Sequence, residues 1–104
     1  MNYELCWSDR ALANLNSIEK HIAQDSSFQA NKVVNELLDY SENLMTFPEM
    51  GSVVLALSDM KLRQLTKYSY RIIYSFEDNV VTIVAVLHGK QDIVAQFLKR
   101  DVES

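Results

Sequence analysis

Tyr70-Arg71-Ile72-Ile73-Tyr74-Ser75-Phe76, then Glu77-Asp78-Asn79, then Val80-Val81-Thr82-Ile83-Val84-Ala85-Val86-Leu87-His88 is the stretch that decides the fold. Two β-rich runs flank a short acidic turn. Asp and Asn both tolerate left-handed backbone angles, so the spacing predicts a hairpin with a three-residue loop. The second run is apolar on both alternating faces, as a strand covered on both sides must be. The first reads the same way except for Arg71, a permanent cation placed mid-strand among apolar neighbours.

Working outward, Gly89 follows the hairpin and Asp92 then stands where it can cap a short closing helix reaching Leu98. Before the hairpin, Lys67-Tyr68-Ser69 is a tight connection, Met60 to Thr66 alternates as a strand, Ser58-Asp59 turns, and Val53 to Leu57 is a short apolar strand. Short connections in a row specify an antiparallel meander, because parallel neighbours need long crossovers. Earlier still the apolar period changes to that of helices. Ala11, Leu15, Ile18 and Ile22 line one face of a helix capped by Ser8 or Asp9 and ending near Gln24. Ser26-Ser27-Phe28-Gln29 fits a capping box, and Ala30, Val33, Val34, Leu37, Leu38, Ser41, Leu44 and Met45 form the stripe of a second helix that Pro48 ends. Helices this close in sequence fold back on each other. Tyr3 to Trp7 supplies a first strand, with Cys6 expected as a small buried hydrophobe.

The predicted fold is therefore α+β over residues 1–104, in the order β-α-α-β-β-β-β with a short closing helix. An antiparallel twisted sheet is covered on one face by a helical hairpin. A chain of 104 residues is one domain, able to bury roughly two thirds of its unfolded surface. No apolar run approaches a membrane span, no secretory signal opens the chain, and Cys6 is the single cysteine, so a reducing cytoplasm is the expected setting. The net charge of -4 conceals an asymmetry. Residues 1–59 hold three basic and nine acidic side chains, whereas residues 60–100 hold seven basic and three acidic. The sheet half is the part suited to an anionic partner.

Candidate chemistry is sparse. Two glycines cannot build a phosphate-cradling loop, no Gly-x-Ser-x-Gly elbow occurs, and His21 and His88 have no Cys, Asp or Glu set at ligand spacing. Neither a metal nor a cofactor is expected. Arg71 reads either as a structural arginine, paired with an acid or snorkelling to water, or as an electrostatic anchor for a phosphate, a carboxylate or a protein surface. His88 reads as a strand-end residue or as a general base. Arg63 and Lys61 gain interest only if their face also presents Arg71 and Lys90.

Trp7 and Ala11 entering the first helix, Leu44, Phe47-Pro48 and Gly51 closing the second, Leu62-Arg63 before Tyr70-Arg71-Ile72-Ile73-Tyr74, and Val84-Ala85-Val86-Leu87-His88-Gly89-Lys90-Gln91-Asp92 carry a resemblance. In that order and spacing they resemble the RelE/ParE superfamily of toxins from type II toxin–antitoxin modules. The resemblance implies a first strand lying beside the last, and a cognate antitoxin as partner, with operator DNA reached only through it. It also implies one of two activities. RelE-like members cut messenger RNA in the ribosome with basic residues and often a C-terminal Tyr, whereas ParE-like members lack that set and poison DNA gyrase.

Arg71 matches an arginine that the RNases use at the scissile phosphate. Gln91 stands where such an RNase has its second catalytic arginine, and Phe97 near its tyrosine. Both replacements remove groups that cleavage uses. His88-Gly89-Lys90-Gln91-Asp92 looks like the ParE-like branch, whose usual form is His-Gly-Arg-Arg-Asp. The resemblance thus implies a gyrase poison that is not an enzyme, with Arg63, Arg71, His88, Lys90 and Gln91 as target-binding residues. Ile93, Phe97 and Leu98 are then antitoxin-binding residues, unless they fold onto their own sheet. The alternative is a ribosome-dependent endoribonuclease built on Arg71, His88 and Lys90. A further one is a decayed toxin retaining only antitoxin binding and module autoregulation.

Overall fold

The computed structural model describes residues 2–89 and 91–97. In chain order the elements are β1 (Glu4–Trp7), α1 (Asp9–Ala23), α2 (Ser27–Glu42), β2 (Ser52–Val53), β3 (Arg63–Lys67), β4 (Tyr70–Glu77) and β5 (Val80–His88). Turns of 3-10 helix occupy Asn43–Met45 and Leu55–Met60, and a last helical turn, α3, covers residues 93–97. No described helix is long and apolar enough to cross a membrane.

Both long helices start where serine oxygens can take up free amides. Ser8 Oγ accepts from Ala11 N at 3.1 Å and Ser26 Oγ from Gln29 N at 3.0 Å. The two helices form the predicted hairpin and lie on one face of a five-stranded sheet of order β1-β5-β4-β3-β2. β2 to β5 make the antiparallel meander, and β1 joins β5 in parallel, Leu5 beside Val81 and Trp7 beside Ile83. The helical hairpin is the long crossover that a parallel pair requires. It carries the chain from β1 to the far edge, and the meander brings β5 back beside β1.

Local geometry departs from the sequence reading at four places, each with a physical cause. The β4–β5 loop has two residues, not three. Glu77 pairs with Val80, and Asp78 and Asn79 both take positive φ, 53° and 68°, the pattern whose twist matches the flanking strands. The strand expected over Val53 to Leu57 shrinks to Ser52–Val53, because Val54 and Leu57, three residues apart, are both buried on one side by a 3-10 turn. The next strand starts only at Arg63, after Lys61 at φ 55°. Cys6 is exposed: β1 is an edge strand that turns Leu5 and Trp7 to the core and Glu4 and Cys6 outward.

The core has two parts. Ala11, Leu15, Val33, Leu37 and Leu44 from the helical layer meet Ile72, Tyr74, Val81, Ile83 and Val86 of the sheet. On the reverse face Val54, Leu57, Leu62 and Ile93 cover Ile73, Ala85 and Leu87. This explains why β5 is apolar on both sides. A bulge sets which side chain goes where. Ile73 pairs with Ala85 but Tyr74 with Ile83, so Val84 is the extra residue, and the alternation along β5 is shifted beyond it.

Tyr74 ties the second helix's exit to the sheet. Fully buried, it donates from its hydroxyl to Pro48 O at 2.7 Å and accepts from Gly51 N at 2.9 Å. A Cβ on Gly51 would stand 2.6 Å from that hydroxyl and 2.7 Å from Gln64 O, so only glycine fits the close approach. Burial pushes the Tyr74 phenol above its ordinary value of 10.0, outweighing the opposing pull of the Gly51 amide and Arg63. The folded state therefore favours the neutral phenol. Its contribution to stability is complete below pH 10 and is lost as pH rises through the raised value. Tyr74→Phe, which orphans a buried carbonyl and amide, is expected to cost about 1–3 kcal/mol in urea unfolding and to flatten the alkaline loss of stability. Gly51→Ala is expected to destabilise the fold as well, through the clash.

Candidate functional site

Arg71 lies in the second position of β4, opposite Thr66 of β3 and Leu87 of β5. Strand alternation puts it on the face of Ile73 and Leu87, away from the helical hairpin. The guanidinium is half-buried and bound by neutral acceptors. Nη2 donates to Gln91 O, and Nη1 reaches Gln64 Oε1 at 3.5 Å. Nε is buried and has no hydrogen-bond partner among the described residues. A half-buried cation with a buried, unused donor is costly in a folded chain unless something else requires it. That is the strongest single mark of function on this face.

His88 faces the other way. The bulge at Val84 turns Val86 and His88 toward the helices, and the His88 ring meets Tyr70 edge-on with centroids 5.6 Å apart. Arg71 and His88 are therefore near each other along the hairpin but separated by the sheet. Arg63 also lies on the helical side. Its Nη1 donates to Gly51 O at 2.7 Å and Glu49 O at 3.2 Å, and its guanidinium lies 5.7 Å from the centre of the Phe76 ring. These contacts clamp the turn that Tyr74 also holds. The condition for a basic stripe of Arg63 with Arg71 is thus not met. Lys90 lies outside the described residues.

Gln91 does present itself beside Arg71, through its backbone. Its carbonyl takes the Arg71 Nη2 bond, while its side-chain oxygen accepts from His88 N at 2.7 Å. Asp92 caps α3 as expected, Oδ1 accepting from Val94 N at 2.9 Å. Ile93 is buried in the second core, and Phe97 is half-buried with the Arg10 guanidinium 4.9 Å from its ring centre. In the isolated chain these two residues pack against their own domain; Leu98 lies outside the described residues. Among the described residues no three His, Cys, Asp or Glu side chains come together as metal ligands.

Sequence reasoning missed the side chains that finish the edge of β5. Beyond β1, Ser8 Oγ donates to Val84 O at 3.1 Å and Val86 N donates to Asn14 Oδ1 at 3.0 Å. Asn14, on the flank of the apolar stripe of α1, gave only the signal of a polar residue at the boundary of a buried face.

The sequence family described as "ParE toxin of type II toxin-antitoxin system, parDE" matches residues 5–93. Toxin RelE2 of Caulobacter vibrioides is 33% identical over 87 residues, covering 83% of this chain and 94% of that protein. Among solved structures, the chromosomal ParDE toxin–antitoxin system of P. aeruginosa superposes with a TM-score of 0.71 at 18% identity, over 83% of this chain and 95% of that one. The RelBE2 toxin–antitoxin complex of Mycobacterium tuberculosis gives 0.64 at 14% identity, over 85% and 92%. A double mutant of E. coli toxin RelE in the free state gives 0.59 at 18%, over 98% and 99%. At these identities the structures establish the fold.

Phe97→Ala is expected to lower the stability of the isolated protein by about 1–2 kcal/mol, since it removes half-buried apolar area and the stacked Arg10. Calorimetric melting checks this. An unchanged melting temperature would mean that α3 contributes nothing to the second core.

Proposed function

The chain belongs to the ParE toxin family of type II toxin–antitoxin systems, and from that premise we propose that it arrests growth by binding DNA gyrase in the cytoplasm and not by cutting RNA. The observation that carries this reading is the separation of Arg71 from His88 by the sheet. Cleavage of a phosphodiester needs a base, a cation and an acid converging on one phosphate. Here the cation and the imidazole face opposite layers. Gln91 offers Arg71 a carbonyl where the RNases carry a second arginine, and Phe97 has no hydroxyl. A binding surface has no such requirement. Arg71, half-buried on the outer face beside the Gln91 backbone, serves as an anchor for a carboxylate or phosphate on the target, with Gln91 and Lys90 as further target-binding residues.

A cognate antitoxin neutralises the protein by direct binding, and operator DNA is contacted only through that antitoxin. Relatives of this fold occur as ParDE and RelBE2 assemblies. Within this reading the antitoxin meets the closing segment at Ile93, Phe97 and Leu98. Phe97 is open to it from outside, whereas buried Ile93 is reached only if α3 lifts from the sheet.

Purified protein is expected to inhibit supercoiling by gyrase in the presence of ATP and to leave linear DNA after protease treatment. Arg71→Ala is expected to weaken that inhibition at least about tenfold while the fold is kept, the scale of a lost charged hydrogen bond. Full supercoiling at saturating folded protein would remove gyrase as the target. Normal growth under unopposed expression of folded protein would point to a decayed toxin instead.

A further inference from the structure

We propose that the pocket between α1 and the ends of β4 and β5 is a carboxylate-binding site, on the opposite side of the sheet from Arg71. It encloses about 300 Å3, walled by Asn14, Ser17, His21, Tyr70, His88 and Gln91 over a floor of Ile18 and Val86.

Hydrogen-bond bookkeeping fixes what this pocket offers. Val86 N–H is a donor, so the atom of Asn14 that it meets at 3.0 Å is the carbonyl oxygen. His88 N–H likewise fixes Gln91 Oε1 at 2.7 Å. Gln91 is held at its backbone too, N donating to His88 O at 3.0 Å and O accepting from Arg71. Both carboxamides thus have their acceptors committed to the edge of β5. Their NH2 groups remain, and neither has a partner among the described residues. Ser17 adds a hydroxyl, and His21 stands in the wall, where an imidazole brings at least one N–H.

The result is a site rich in donors with no Asp or Glu among the described residues of its lining. A metal cation would find no group of three His, Cys, Asp or Glu side chains here among the described residues. A phosphate would call for guanidinium or ammonium groups, and no Lys or Arg among the described residues lines the pocket. A carboxylate, planar with two acceptor oxygens, matches a pair of carboxamide donors, and the apolar floor of Ile18 and Val86 suits the carbon stem that carries it. The carboxylate is either a small free acid or an acidic side chain of a polypeptide.

Two substitutions separate binding from folding. Asn14→Asp and Gln91→Glu keep an oxygen for Val86 N and His88 N but replace the free NH2 with a second, negative oxygen. The test is NMR titration of the full chain with sodium acetate and with two short peptides that differ only in carrying Glu or Gln at their centre. In the parent protein, the side-chain NH2 signals of Asn14 and Gln91 and the Tyr70 ring are expected to shift saturably with acetate or with the Glu peptide. The Gln peptide is expected to be without effect. Equal response to acetate and the Glu peptide assigns a free acid, whereas a Glu peptide at least about tenfold tighter assigns a polypeptide side chain. Each variant, melting like the parent, is expected to bind at least about tenfold more weakly. No saturable shift in the parent, equal binding of the Glu and Gln peptides, or undiminished binding by folded variants would overturn the site.

Discussion

Strand β5 must satisfy two buried faces and one edge at once, and most of the molecule answers to that demand. Its faces are met by the helical hairpin on one side and by the 3-10 turns and α3 on the other. β1 covers its edge only from Val80 to Ile83. Past that point a buried N–H or C=O without a partner would cost as much as the strand pairing contributes. Side chains take over: Ser8 for Val84 O, Asn14 for Val86 N, Gln91 for His88 N. The serine that caps α1 is thus also the one that fastens the helix to the sheet. The segment after β5 turns back because its glutamine completes the ladder.

The same strand determines the chemistry. One extra residue, Val84, shifts the side-chain alternation so that His88, exposed at the strand end, joins Val86 and Tyr70 on the helical side of the sheet while Leu87 stays beside Arg71. Without the bulge the imidazole would lie on the arginine's face. With it, the groups that a nuclease would combine are divided between two layers. What remains on the outer face is a half-buried arginine bound by a side-chain amide and a backbone carbonyl, with one donor unused. Such a group suits recognition of an anion on a partner better than proton transfer.

Much of the architecture was legible in the residues. Helical periodicity marked both stripes, Ser8 and Ser26 marked the caps, and the two-sided apolar run of Val80 to Leu87 marked a covered central strand. Asp92 announced α3. The site was legible only in part. Arg71 stood out as a cation among apolar neighbours, but alternation with a uniform period of two cannot reveal a bulge. The separation of Arg71 from His88 therefore needed the register. Arg63 looked like a surface cation because its partners, Glu49 O and Gly51 O, are backbone atoms that leave no trace in sequence. Cys6 was misread because a small residue on a four-residue edge strand carries no sign of which side it takes.

The measurement that tests the central claim most directly is mapping of messenger 5′ ends in cells expressing the protein without an antitoxin. A protein that acts by binding, with Arg71 and His88 on opposite faces, leaves translated messages uncut, so growth arrest without codon-phased ends is the predicted result. Codon-phased cleavage that disappears with Arg71→Ala would contradict the account and show that the two faces meet in a catalytic state.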